Sequence, residues 1–162
     1  MNCPSIITET HLLPPLDPSS PSFLLHITRL KGSLLLWVGA ANSDGRASSV
    51  NLGKEWSCGM PAVGTRPPVA TPLFRSGSSD IALGLSSRIA KRLSIQILLS
   101  LDLPSSLTST RTSLYTNQNA QFILLDLEKK IIGILLKLMK EEKTEKILSK
   151  DGTVEAPASQ CS

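Results

Sequence analysis

Histidine, cysteine and aromatic residues are all scarce in this chain of 162 residues, which has two His, three Cys, three Phe, two Trp and one Tyr. Cys3, Cys58 and Cys161 are odd in number, far apart and without CxxC-type spacing. That argues against a disulfide framework or a zinc site and fits a reducing compartment. The two histidines, His11 and His26, form no HxxxH pattern, and no paired carboxylates suggest acid/base work. His26 falls in an apolar run, where a packed or hydrogen-bonded imidazole is expected rather than a base. Cys58, near Trp56, lacks an identifiable basic partner and reads as a half-buried structural thiol. The stretches "GAANSDGR" and "VNLGKEW" lack GxxxxGK[ST] spacing, so amides, lysine and hydroxyl would not converge on a phosphate. No catalytic residue, metal ligand or cofactor site is expected, and an enzyme is disfavoured.

Long apolar runs are missing as well. None approaches the roughly 18 residues that a membrane span needs, and the N-terminus lacks a basic region followed by an apolar core. A soluble protein of the cytoplasm, with the nucleus also open to it, is the expectation. Charge of one sign is not concentrated either. The net charge is +4, but the basic residues are scattered, and the cluster from Lys129 to Lys150 is interleaved with glutamates, as on a solvated helix face. Nucleic-acid binding would need aromatics interleaved with cations. Tyr115 and two separated Trp do not supply that. A small basic nucleic-acid-associated domain is retained as the alternative, with a steep salt dependence as its mark.

What is present is a set of short apolar segments. Residues 1–21 carry five prolines. Ile6 to Leu13 could form a strand, but the proline spacing favours an extended, loosely held arm. The segments "SFLLHITRL" and "SLLLWVGA" are joined by Lys31-Gly32, which suits a two-residue turn with glycine at positive φ. In the second of them Leu35 and Trp37 point one way and Leu34, Leu36 and Val38 the other. Both faces are apolar, which marks a central strand. "VNLGKEWSCGMPAV" reads as an irregular strand and "VATPLF" as an edge strand because of Pro72.

Ser78-Ser79-Asp80 offers a helix N-cap. Ile81, Leu85, Ile89 and Leu93 then recur every four residues on one helix face, with strands expected near 95–102 and 120–126. Residues 103–119 are Ser/Thr-rich without periodicity and read as a loop insertion. A helix is expected over 127–142. At 100° per residue its apolar positions, among them Ile132, Leu136 and Met139, cover an arc of roughly 200°. One sheet needs an arc of only about 100° or somewhat more, so the excess calls for a second surface. The organisation expected is an arm over 1–21, a domain over 22–142 and a flexible tail over 143–162. The fold class is α+β, an antiparallel β-sheet packed with two main helices.

Four segments bear a resemblance. "ITRLKGSLLLWVGA", "PPVATPL", "GLSSRIAKRLSIQILLSLDL" and "NAQFILLDLEKKI" resemble, in order, pieces of the proteasome assembly chaperone 4 family. The segment between Ala41 and Pro67 departs from it, the loop after Leu103 looks longer, the last helix is more apolar, and the C-terminal tail is extra. The resemblance implies a non-enzymatic chaperone that is sandwich-like in a heterodimer with proteasome assembly chaperone 3. It further implies help in assembling the α-ring of the 20S proteasome, with the fifth α subunit as main client. Expected interface residues are Trp37, for which core packing is the plainer alternative, Ile132, Leu136 and Met139, and the basic helix end Arg88, Lys91 and Arg92. These cations should reach solvent, where simple stabilisation of a helix end competes with docking of an acidic client surface.

Overall fold

Gly32, at φ 79°, turns the chain between β2 (Ser22–Leu30) and β3 (Ser33–Ala41), and Leu30 pairs with Ser33 across the turn. A computed structural model describes residues 6–18, 20–42, 44–48, 52–75, 79–108 and 114–151 of the chain, with only the helical backbone for 114–117 and 142–151. Its remaining elements are β1 (Ile7–Leu13), β4 (Glu55–Met60), β5 (Val69–Arg75), α1 (Ile81–Leu93), β6 (Gln96–Asp102), α2 (Ser105–Thr108) and α3 (Leu114–Asp151). Together they give an α+β fold whose six strands lie in the order β1-β2-β3-β6-β4-β5.

The sheet is mixed. β3 and β6 run parallel, whereas the other neighbouring strands are antiparallel. The parallel pair is possible because the chain crosses through β4, β5 and α1 before returning as β6, which gives the length such a connection needs. β3 is a central strand, between β2 and β6, as its two apolar faces require.

Period-two alternation divides the sheet into two faces. Leu25, Ile27, Leu36, Val38, Ile97, Leu99 and Leu101 are buried on one of them. Leu85, Ile89 and Leu93 of α1 and Leu127, Ile131 and Leu135 of α3 complete that core. The four-residue stripe expected of α1 is therefore its buried face, with Ile81 half-buried at its start.

Several boundaries differ from the expectations. Residues 7–13 of the proline-rich arm pair with β2 as an edge strand, and Leu13 is buried opposite Phe23. The expected strand over 120–126 is helix. Its continuous run Phe122-Ile123-Leu124-Leu125 fits either state, and the spacing of Ile123, Leu127 and Ile131 on the core side decides for α3. The 103–119 segment holds α2 and the start of α3, with Leu107 buried; residues 109–113 of it lie outside those described. α3 runs to Asp151, past the expected end at 142 and into the expected tail, while 152–162 lie outside the described residues.

Candidate protein interface

The second face of the sheet begins with Trp37. Its neighbours across the strands are His26 on β2 and Ser100 on β6, both of which point, as it does, away from the helices. Core packing, the plainer expectation for Trp37, does not hold: the ring is half-buried on the side opposite the core cluster. Its six-membered ring lies against Gly39, two residues along on the same face, where an added Cβ would collide with the indole. The "WVG" spelling therefore has a steric cause. Glycine leaves the space in which the ring lies flat along the sheet.

Leu35, Leu98, Cys58 and Trp56 extend this surface, all half-buried. At the β5 edge it becomes more exposed. The register shifts between Trp56 and Ser57, so that Phe74 opposes Trp56, Pro72 opposes Ser57 and Leu73 is the extra residue of a bulge. Leu73 and Phe74 are 54% and 55% exposed, Val69 56% and Met60 46%. Sequence reading missed this cluster because Pro72 signalled only an edge strand; the bulge that brings Leu73 and Phe74 together depends on the partner strand.

The polar groups of this face are mostly satisfied within it. Thr10 Oγ1 and His26 Nδ1 are hydrogen-bonded at 2.9 Å, within the packed or hydrogen-bonded role expected of His26. Gln96 Nε2 donates to Cys58 Sγ at 3.3 Å, a structural setting for that thiol. At the other end, residues 52–54 lie over β6. Ser100 donates to the Leu52 carbonyl, and Lys54 Nζ reaches the buried Asp102 carboxylate at 3.3 Å and donates to the Leu103 carbonyl at 3.2 Å. One end of the face is thus sealed by polar contacts, while the Trp37 to Phe74 region carries apolar side chains outward.

The helical face holds the remaining candidates. α1 is pressed onto β4. Ser57 donates to the Ala82 carbonyl at 2.8 Å and lies 2.9 Å from Ser86 Oγ, and Gly59 meets the Ser86 backbone so closely that a Cβ would clash. The expected cap is corrected in part. Asp80 occupies the N-cap position without a side-chain capping bond, and its carboxylate pairs with Arg75. The Ile81 and Ala82 N–H groups instead donate to Ser79 Oγ and to the buried Glu55 carboxylate, at 3.3 and 3.2 Å. Glu55 comes from β4, so no local pattern around α1 could have identified it.

Arg88 reaches solvent, as expected, and is also paired. Its Nε and Nη2 each donate to a Glu128 carboxylate oxygen at 2.8 Å, joining α1 to α3. That hydrogen bonding raises the Arg88 pKa, against the cost of desolvation and with further help from the carboxylate's charge. Lys91 and Arg92, one turn on, are exposed. Ile132, Leu136 and Met139 are half-buried and packed against the core; Met139 lines a small cleft with Ile27, Leu34 and Leu138. The wide apolar arc of α3 is thus largely taken up by its own sheet. Among its described side chains, Phe122 and Leu125 are large, apolar and exposed, and they lie in the stretch where a strand was expected.

Among the described residues no group of His, Cys, Asp and Glu could hold a metal ion, and no helix is long and apolar enough to cross a membrane. The family model for proteasome assembly chaperone 4 matches residues 22–103, just over half of the chain. No curated protein matches it in sequence. Among solved structures the chain is similar to one from a chaperone complex for yeast 20S proteasome assembly. The two are 16% identical, with 85% of this chain and 97% of that one covered and a TM-score of 0.51. At that identity the likeness is one of fold.

Proposed function

The chain belongs to the proteasome assembly chaperone 4 family, a non-catalytic class of chaperone, and from that premise we propose that it helps assemble the α-ring of the 20S proteasome. In this reading it works as a heterodimer with a proteasome assembly chaperone 3-like subunit, and the fifth α subunit is its client. The observation that carries the reading is the outward apolar surface from Trp37 through Leu98 and Trp56 to Phe74. A contiguous patch of this kind marks a surface for protein association, and its apolar make-up favours a protein over a nucleic acid.

Two sheets stack face to face about 10 Å apart with their inner side chains interdigitated. A partner sheet on this face would complete a sandwich, with each subunit's helices outside. Trp37 and Trp56 are suited to anchoring such a contact, since each brings a large apolar area and one indole donor. The helical face then stays free for the client, with Lys91 and Arg92 as candidate contacts to an acidic surface. Ile132, Leu136 and Met139, committed to their own core, contribute through the fold.

Co-purification from cells, with mass spectrometry of the bound proteins, tests the reading. Recovery of a second assembly chaperone and an α subunit is the expected result. Recovery of nucleic acid with a steep salt dependence would overturn it.

A further inference from the structure

At the end of α1 the chain reads "AKRLSIQ", with Ser94 preceded by Arg92 at −2 and Lys91 at −3 and followed by Ile95. No other serine or threonine in the chain has cations at both of those positions. We infer that Ser94 is a phosphoacceptor site for a basophilic serine/threonine kinase. Such an enzyme holds its substrate extended, takes the two preceding cations in acidic pockets and the following apolar side chain in a hydrophobic one.

The structure supplies what the motif needs. Ser94, Lys91 and Arg92 are all exposed. Ser94 is the C-cap of α1 at φ 56°, the one non-glycine residue with positive φ among those described. Its N–H donates to the Ala90 carbonyl at 2.9 Å. A left-handed serine is conformationally unfavourable, so extending this turn relieves strain where the helix already ends. Resistance comes from Leu93, which is buried, and from Ile95, which packs against the core. Both must lift out with the last turn, a local opening of the kind that helix ends undergo.

In the transfer, Ser94 Oγ attacks the γ-phosphorus of ATP, the bond to the β–γ bridging oxygen breaks and ADP leaves. The hydroxyl proton passes to the kinase's catalytic carboxylate. The product carries a charge of about −1.5 to −2 at neutral pH, directly beside Lys91 and Arg92. It offsets the charges of these two cations, and a negative group at a helix C-terminus is also unfavourable beside the negative pole of the macrodipole. On the reading that this basic end meets an acidic client surface, the phosphate would release the client; the phosphoacceptor assignment itself does not depend on that reading.

The test incubates the folded full chain with the catalytic subunit of a cyclic-AMP-dependent kinase and labelled ATP, then maps the phosphate by mass spectrometry. Ser94 should be labelled to near one phosphate per chain. Arg92→Ala should slow the labelling at least tenfold, and Ser94→Gly, which suits the left-handed turn and keeps the fold, should abolish it. A peptide of residues 88–98 is run alongside. Labelling of the peptide without the folded chain would show that the fold closes the motif and would overturn the inference, as would failure to label either.

Discussion

Arg88 on α1 and Glu128 on α3 are joined by two parallel hydrogen bonds of 2.8 Å, an ion pair that ties the two helices together. The Arg88 side chain is 58% exposed and that of Glu128 14%, so the pair is screened on one side and its net worth is about 0.5–1 kcal/mol. Because the folded-state pKa of Arg88 is raised, the stabilisation is complete below the arginine's unfolded-state pKa. It is lost only as pH rises through the still higher folded value, so Arg88 remains charged at every working pH. Arg88→Glu should destabilise the chain by about 1 kcal/mol through like-charge contact with Glu128. Adding Glu128→Arg should recover most of that loss, read by urea unfolding as a double-mutant cycle.

This pair also changes how client docking is tested. Substituting Arg88 would disturb the packing of α1 on α3, whereas Lys91 and Arg92 have no such role. Lys91→Glu with Arg92→Glu should leave unfolding within about 0.5 kcal/mol of the parent, as for exposed positions. It should weaken capture of the α subunit at least tenfold. Unchanged capture at equal folded concentration would reduce these residues to a solvated helix end.

For the sheet face, Leu98→Asp places a carboxylate at the centre of the patch bounded by Trp37, Cys58 and Trp56. Loss of a central anchor costs 2 kcal/mol or more, so affinity for the partner subunit should fall by roughly thirtyfold. Circular dichroism should be unchanged, because the side chain is only half-buried and lies on the face opposite the core cluster. The unpaired parent should self-associate during sedimentation, and the variant less so. A parent that stays monomeric at high concentration and ignores the partner would count against this face.

Packing of α1 on β4 gives two contrasting outcomes. Gly59→Ala drives a Cβ into the Ser86 backbone, and overpacking of that sort costs about 1–3 kcal/mol. Glu55→Ala removes the carboxylate that caps Ala82, which should cost about 1–2 kcal/mol. Asp80→Ala, at the position sequence would choose as the cap, should cost less, since it removes only an exposed pair with Arg75. Thermal unfolding of the three variants ranks them, and a larger loss for Asp80→Ala than for Glu55→Ala would refute the assignment of the cap.

Local pattern alone determined the β2–β3 hairpin, the central place of β3, the buried stripe of α1 and the alternation of β6. In each, the periodicity of apolar residues and one special residue, Gly32 for the turn, agree within a dozen positions. The helical state of 120–126 was not legible, since Phe122 to Leu125 is an unbroken apolar run that fits both periods until the core beside Ile123 and Leu127 is known. Residues 6–13 could be read as a strand, but the surrounding prolines favoured an extended arm; the open edge of β2, which local pattern does not show, decides for β1. Glu55 as cap, Glu128 as the partner of Arg88 and the bulge at Leu73 join residues that are distant in sequence or depend on a neighbouring strand. Short-range physics writes its demands into spacing that can be read directly; contacts closed by the tertiary fold leave each residue looking like an ordinary charge or an ordinary apolar side chain until the chain has folded.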